Sequence, residues 1–117
     1  MDNLFELERI TKENKNYREV LYTTNELQLV LMSLRYGESI GKEVHPKTTQ
    51  FIKVESGYGE VLINGKTSEI RAGDSIIIAA GMEHNITAFS RRGLKLYTIY
   101  SPPEHAPNTL EVVKPTE

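Results

Sequence analysis

The feature that most constrains the fold is a series of short strand-like segments between residues 17 and 101. β-Branched or large apolar residues alternate loosely with polar ones in these segments, which is the period of a strand. The strongest turn signal is Asn64-Gly65, because a type I′ hairpin needs positive φ at both central residues and these two types tolerate it best. Eight or nine such strands, with glycine turns at close spacing, predict an all-β sandwich or barrel rather than an α/β fold.

The segments on either side of the strands have different patterns. Leu4, Leu7 and Ile10 are three positions apart, which predicts a short N-terminal helix. Prolines and polar residues beyond the last strand predict an extended, loosely held tail. We therefore expect an N-terminal segment over residues 1–16, a barrel over 17–101 and a C-terminal tail over 102–117.

Composition narrows the functional classes. The net charge is −2 over 117 residues with both signs mixed along the chain, so we expect no nucleic-acid partner. No apolar run approaches the ~20 residues of a membrane helix, and the acidic N-terminus lacks the pattern of a secretory signal. We therefore expect a cytoplasmic protein without a membrane partner. Because the chain has no cysteine, a metal site would have to use His, Asp, Glu or amide ligands.

Three polar side chains crowd the corner between two apolar strands. Glu43, His45 and Gln50 lie within eight positions, between the apolar segment 27–34 and the segment 51–54. Polar groups that are brought together in an apolar setting must be solvated, paired or bound to a ligand. This corner is therefore the candidate functional site.

The spacing around this corner resembles the first motif of the cupins. Five residues separate Gly37 from Glu43, one separates Glu43 from His45, four lead on to Gln50 and six more to Gly57. The cupin motif reads Gly, five residues, His-x-His, three or four residues, Glu, six residues, Gly. In this chain Glu43 stands at the position of the first His, and Gln50 stands at that of the Glu.

A later stretch resembles the second cupin motif, which reads Gly, five residues, Pro-x-Gly, two residues, His, three residues, Asn. Gly73 is followed by five residues, then by Ala79, Ala80 and Gly81, and after two more residues by His84. Ala79 replaces the Pro, and Ala88 replaces the Asn. The chain thus resembles a small, single-domain cupin-2 type protein, and the resemblance implies a single jelly-roll barrel.

The resemblance, carried over position by position, implies a metal site of Glu43, His45, Gln50 and His84. Glu43 and His45 are two apart, so on a strand they would share a face, while Gln50 and His84 come from other strands. One carboxylate and two imidazoles suit a divalent ion such as Zn, Fe, Mn or Ni, with the Gln50 amide oxygen as a weaker ligand. A bound ion would also neutralise the carboxylate. The expected pocket walls are Ile52, Val54, Ile76 and Ile78.

The resemblance leaves two classes of function open. In the first, the chain is a metal-dependent enzyme for a small oxygenated metabolite, sugar-isomerase-like or dioxygenase-like; zinc-dependent phosphomannose isomerases of the superfamily also use a Gln, a Glu and two His as ligands. In the second, it is a non-catalytic small-molecule-binding cupin, or a scaffold whose metal site has degenerated. Two of the four motif ligands are substituted, but both replacements still supply an oxygen donor, which favours a working metal site.

Several residues outside the motifs lead to further expectations. We expect a homodimer, because the segments 75–79 and 96–100 carry apolar residues on both faces and only one face can point into a barrel. Lys53 and Glu55 should be exposed, and the tyrosines of the last strand should serve the core or a dimer contact. Glu104 and His105 could form a lid or an acid/base pair at the barrel mouth, although a His in a proline-rich tail is more often solvated, which is the interpretation we favour.

Overall fold

The regular structure of this chain is almost entirely antiparallel β-strand. The computed structural model describes residues 3–116, and in that range one short helix precedes nine strands, as the sequence predicts for an all-β chain with an N-terminal helix. The elements are α1 (Leu7–Glu13), β1 (Arg18–Thr23), β2 (Gln28–Leu34), β3 (Thr49–Ser56), β4 (Tyr58–Ile63), β5 (Lys66–Arg71), β6 (Ser75–Ile78), β7 (His84–Ala88), β8 (Leu94–Ser101) and β9 (Leu110–Glu111). The helix α1 is too short to cross a membrane, and no other helix occurs between residues 3 and 116.

The strands form two sheets that share one core, which is the architecture of a jelly-roll barrel. The larger sheet has the order β6-β3-β8-β2-β1-β9, and the smaller sheet has the order β5-β4-β7. An irregular segment over residues 37–45 lies along the free edge of β7. Ile40 N–H donates to the Ile86 carbonyl at 3.0 Å, and isolated bridges join Ser39 to Thr87 and Glu43 to His84. This segment therefore brings the polar corner of the sequence to the end of β7.

The core lies between the sheets because the inward positions of each strand are apolar over most of its length. On β3, burial alternates so that Gln50, Ile52 and Val54 point inward, as the two-residue period of a strand requires. On β8 the inward positions run from Leu94 to Tyr100. The buried apolar cluster contains Tyr17, Val20, Val30, Met32, Leu34, Ile52, Val54, Val61, Ile70, Ile78, Ile86, Ala88, Leu94, Leu96 and Tyr100.

Two turns depend on glycine in the way that the sequence suggests. Asn64 and Gly65 connect β4 to β5 with φ of 46° and 83°, so the predicted two-residue hairpin with positive φ at both positions is confirmed. Gly57 has a φ of 91°, and a Cβ atom there would lie 2.2 Å from the carbonyl oxygen of Gly93. No larger residue fits at this position, which is the last glycine of the first motif.

One expectation about exposure on the larger sheet is wrong. Lys53 and Glu55 were expected to be exposed, but both are partly buried and paired at 3.4 Å. Lys53 and Glu55 are partly buried because α1 packs across the outer surface of β3 and β8, above the outward side chains of β3. On the edge strand β6 the outward residue Ile77 is 69% exposed, as an apolar outer face predicts.

The C-terminal tail is not loosely held. Its strand β9 pairs with β1 in antiparallel fashion, and Arg18 forms an ion pair with Glu111 within that pairing. Further along the chain, Lys114 donates to the carbonyl of Ser39. The tail therefore closes one side of the larger sheet, while the segment boundaries at residues 16 and 101 stay a prediction.

Candidate metal centre

Backbone pairing places two of the expected ligands opposite each other. The N–H of Glu43 donates to the carbonyl of His84 at 2.9 Å, and the N–H of His84 donates to the carbonyl of Glu43 at 2.9 Å. Directly paired residues of antiparallel chains project their side chains to the same face. Glu43 and His84 therefore share the inner face of the smaller sheet at the point where β7 begins.

His45 also lies beside Glu43, but the backbone geometry that positions it differs from the expected one. Glu43 and His45 were expected to share a face along one strand, but Glu43 forms only an isolated bridge and His45 lies outside the strands. The carbonyl of His45 instead accepts from the N–H of Gly81 at 2.8 Å, which ties it to the turn before β7. The expected alternation along one strand is therefore wrong for Glu43 and His45, although the two side chains do come together.

The two imidazoles present the same nitrogen to Glu43. His84 Nδ1 lies 3.0 Å from the carbonyl oxygen of Met82, which can only accept, so Nδ1 carries the proton and Nε2 keeps a lone pair. His45 Nδ1 lies 3.2 Å from a carboxylate oxygen of Glu104. Both Nε2 atoms are buried and have no hydrogen-bond partner among residues 3–116. They stand 3.8 Å (His45) and 4.0 Å (His84) from Glu43 Oε1.

These separations fit an ion better than they fit direct contacts. Distances of 3.8 and 4.0 Å are too long for hydrogen bonds. Two atoms that bind one ion at about 2.0–2.2 Å can stand up to about 4.4 Å apart. The candidate ligand atoms of Glu43, His45 and His84 all lie within 4.8 Å of one another. One carboxylate and two imidazoles form a group that could hold a divalent first-row metal ion.

Gln50, the fourth expected ligand, is buried on β3 with its amide held in one orientation. Its Nε2 donates to Thr98 Oγ1 at 2.9 Å, so the amide oxygen is the end that stays free. That oxygen is buried, and no described residue gives it a hydrogen-bond partner. An uncompensated buried oxygen is costly, and a metal or a ligand group would satisfy it. The role of Gln50 as a ligand stays a prediction.

The tail contributes side chains that the sequence interpretation placed in solvent. The ring of His105 meets the ring of Tyr100 edge-on with centroids 5.1 Å apart, and its Nε2 is buried with no hydrogen-bond partner in the part of the chain that the structure describes. Burial lowers the pKa of His105 to about 4, and the charge of Arg18 and the neighbouring His45 act in the same direction against the opposing effect of Glu111. The expectation of a solvated His105 is therefore wrong, and this imidazole is neutral near pH 7.

Tyr100 connects the tail to the metal-ligand group. It is 2% exposed, as expected for a core tyrosine, and its ring meets the ring of His45 edge-on with centroids 5.9 Å apart. Burial raises the pKa of Tyr100 above its ordinary value, so the hydroxyl stays protonated at physiological pH. The alternation of β8 predicts its inward position, but the contacts with His45 and His105 depend on the packing of the tail.

Comparisons with known proteins agree with the fold described above. The family model described as "Cupin domain" matches residues 30–100. An uncharacterized protein YrkC of Bacillus subtilis (strain 168) is 37% identical over 115 residues, which is 92% of this chain and 61% of that protein. An uncharacterized protein L612 of Acanthamoeba polyphaga mimivirus is 41% identical over 110 residues, 90% of this chain and 68% of that protein. The chain thus spans about two thirds of the length of these relatives.

A solved structure has a fold that is very similar to that of this chain. The crystal structure of BH2720 from Bacillus halodurans superposes with a TM-score of 0.91 at 38% sequence identity. The match covers 93% of this chain and 87% of that one. The agreement therefore includes nearly the whole chain, beyond the residues that the family model matches.

Proposed function

This chain belongs to the cupin family, and from that premise we propose that it binds a divalent first-row metal ion through Glu43, His45, Gln50 and His84. The observation that carries the proposal is that three of the four motif positions hold a buried ligand atom with no hydrogen-bond partner among residues 3–116: the Nε2 atoms of His45 and His84 and the amide oxygen of Gln50. Buried polar atoms in folded proteins are normally paired, so three such atoms at motif positions call for a ligand. The ion would be Zn, Fe, Mn or Ni.

Charge supports a cation at this position. The carboxylates of Glu43 and Glu104 lie on either side of the His45 ring, at 3.8 Å from Nε2 and 3.2 Å from Nδ1. With neutral imidazoles, the group carries net negative charge in a partly buried setting. Such charge is costly unless it is compensated, and a divalent ion would compensate it.

We further propose that the metal centre binds a small oxygenated metabolite and supports chemistry on it. A bound divalent ion supplies Lewis acidity or an O₂-binding centre for such chemistry. The chain's own residues would orient the ligand: Thr98 fixes the Gln50 amide, and the buried side chains of Ile52, two positions along β3, and Ile78, paired with Gln50 on β6, would give it apolar walls. This environment favours a compact molecule with two chelating oxygens, such as a hydroxy-ketone, an enediol or a keto acid, as in sugar-isomerase-like or dioxygenase-like reactions.

A non-catalytic cupin is the second candidate. Glu43 and Gln50 occupy positions where the family motif has His and Glu, so the ligand set differs from the usual one. The same chelation without turnover would make the chain a small-molecule-binding module, and loss of the metal would make it a scaffold.

Metal analysis of protein purified without an affinity tag tests the centre. We expect close to one ion per chain in the wild type and almost none in the His45→Ala/His84→Ala double variant. His105→Ala is the matched control, because it removes an imidazole at the same end of the barrel but outside the proposed ligand set, and it should keep the ion. Stoichiometric metal in the double variant would refute the assignment.

Incubation with candidate metabolites separates the enzyme from the binding module. Metal-loaded protein is mixed with a hydroxy-ketone, an enediol and a keto acid, with and without air, and products and melting temperature are recorded. Turnover that His84→Ala abolishes supports an enzyme, and binding without product supports the binding module. If no compound reacts or shifts the melting temperature, both forms of the chelation proposal fail and the scaffold remains.

A homodimer through the outer face of the larger sheet is a separate proposal. Strand pairing aligns five outward residues into one apolar row across that face: Ile77, Phe51, Ile99, Leu29 and Tyr22. Only the two ends of the row are exposed, Ile77 at 69% and Tyr22 at 39%, whereas Leu29 between them is 9% exposed, and a second copy would cover the exposed edge at Ile77. Light scattering at micromolar concentration should give twice the monomer mass for the wild type. Ile77→Asp should shift it towards the monomer, whereas Val113→Asp, at an exposed tail position, should not.

A further inference from the structure

A buried amide in the larger sheet anchors the tail beside the metal centre. Gln28 on β2 is fully buried, and its Oε1 accepts from the N–H of Glu104 at 3.2 Å and from the N–H of His105 at 2.9 Å. Its Nε2 donates to the carbonyl of His105 at 2.7 Å. Three bonds from one core side chain therefore fix the backbone on which the Glu104 side chain sits.

That anchoring determines where the Glu104 carboxylate lies. Its Oε1 is 3.2 Å from Nδ1 of His45, and the two side chains are 32% and 10% exposed. An ionised carboxylate can only accept a hydrogen bond, so a bond at this distance requires the proton to be on Nδ1. The other nitrogen, Nε2, then keeps its lone pair and faces Glu43 and His84.

We propose that Glu104 is a positioning residue of the metal centre: it holds His45 in the tautomer and orientation in which Nε2 can bind the ion. This inference rests on the proposed metal site. His84 has the same arrangement with a different acceptor, since its Nδ1 lies 3.0 Å from the Met82 carbonyl. The Nδ1 atom of each imidazole then has an acceptor that orients the ring, a carboxylate for His45 and a backbone carbonyl for His84. Partners of this kind fix the ring and raise the basicity of the ligating nitrogen.

The role differs from that of an ordinary surface ion pair. A pair in which one partner is about a third exposed contributes little to stability, because solvent screens it. A partner that orients a metal ligand, in contrast, typically changes metal affinity by about 10–100-fold when it is removed. Loss of Glu104 should therefore change metal affinity much more than it changes the melting temperature.

Zn²⁺ affinity, measured by competition with a chromophoric chelator, gives the first test. We expect Glu104→Ala to weaken Zn²⁺ binding by about 10–100-fold. Glu104→Gln should weaken it less, because the amide oxygen still accepts a hydrogen bond but carries no charge. The matched control is Glu69→Ala, whose carboxylate is exposed on β5 and 3.8 Å from Arg71; it should bind Zn²⁺ like the wild type. Equal affinities for wild type, Glu104→Ala and Glu69→Ala would overturn the proposal.

The tautomer of His45 in metal-free protein gives a readout that a merely structural role would not change. The chain has three histidines, so long-range ¹H–¹⁵N spectra at pH about 8.5, above the ordinary imidazole pKa of about 6.5, can be assigned by single variants. We expect the Nδ1–H form in the wild type and a mixture of forms in Glu104→Ala. An unchanged tautomer in Glu104→Ala would refute the positioning role.

The two measurements also separate this inference from the metal site on which it rests. If the wild type binds no Zn²⁺ or other first-row ion, the metal site is refuted and the positioning role falls with it. If the wild type binds the ion and Glu104→Ala binds it equally well, Glu104 alone is refuted and the site of Glu43, His45, Gln50 and His84 stands.

Discussion

The inner face of the larger sheet has two ends that are equally buried and chemically opposite. One end, here the polar end, consists of Gln28, Gln50, Thr98 and Tyr100, and the other, the apolar end, consists of Met32, Val54, Leu94 and Leu96. All eight are at most 2% exposed, and both sets come from the same three strands. Strand pairing aligns Gln28, Tyr100 and Gln50 in one row, and Met32, Leu96 and Val54 in another.

The difference separates the side chains that stabilise this barrel from those that are available to bind a ligand. Apolar side chains at the apolar end gain free energy simply by leaving water. Polar side chains at the polar end lose hydration and need partners in return, and the amide oxygen of Gln50 has none between residues 3 and 116. A buried polar atom without a partner costs about 1–3 kcal/mol. A position that retains such an atom is more easily explained by ligand binding than by a contribution to folding stability. Variants at the two ends should therefore affect different quantities, stability at the apolar end and metal binding at the polar end.

The largest effect on stability is expected at the apolar end. Leu96→Ala removes a fully buried side chain and leaves a cavity, so the free energy of unfolding should fall by about 2–5 kcal/mol. The Zn²⁺ affinity of the folded variant should stay close to that of the wild type. Urea denaturation and chelator competition measure the two quantities, and Val113→Ala, at an exposed aliphatic position of the tail, should change neither. A Leu96→Ala protein of wild-type stability that has lost its metal would reverse the comparison.

A smaller effect, of the opposite kind, is expected from the polar end of the same face. Gln50→Ala should weaken metal binding, but less than His84→Ala, because a neutral amide is a weaker donor than an imidazole. Gln50→Glu should strengthen binding, since it places a charged oxygen at the same position. Stability should fall less than in Leu96→Ala, because the loss of side-chain packing and of one hydrogen bond to Thr98 is offset by removal of a buried oxygen that has no partner within residues 3–116. Metal loss in Gln50→Ala as complete as in His84→Ala would contradict this ranking.

The smallest effect is a difference in pH dependence at the tail. The pKa of His105 is about 4 in the folded protein and near its ordinary value of 6.5 in the unfolded chain. Between these values the unfolded chain binds a proton that the folded protein does not, so the free energy of unfolding falls as the pH is lowered. His105→Gln should make that fall shallower in metal-free protein. Urea titrations from pH 7 to 4 measure it, and parallel curves for the two proteins throughout this range would be evidence against a buried neutral His105.

The sequence by itself determined the fold and most of the residues of the candidate site. Period-two alternation, the Asn64-Gly65 hairpin signal and the glycine spacing depend on backbone sterics that act between near neighbours, so they can be predicted without knowledge of the rest of the chain. The motif spacing likewise identified Glu43, His45 and His84, which the structure groups together.

Tertiary structure alone decided how these residues meet and what surrounds them. Glu43 faces His84 through cross-strand pairing and not His45 through alternation along one strand, and α1 shields Lys53 and Glu55 through packing on the sheet. The tail was expected in solvent, yet Gln28 anchors it and Glu104 reaches His45. The two tail contacts join residues 59 and 77 positions apart, and no local preference encodes them. They depend on which surfaces the folded sheets leave open, and so they could be read only from the assembled barrel.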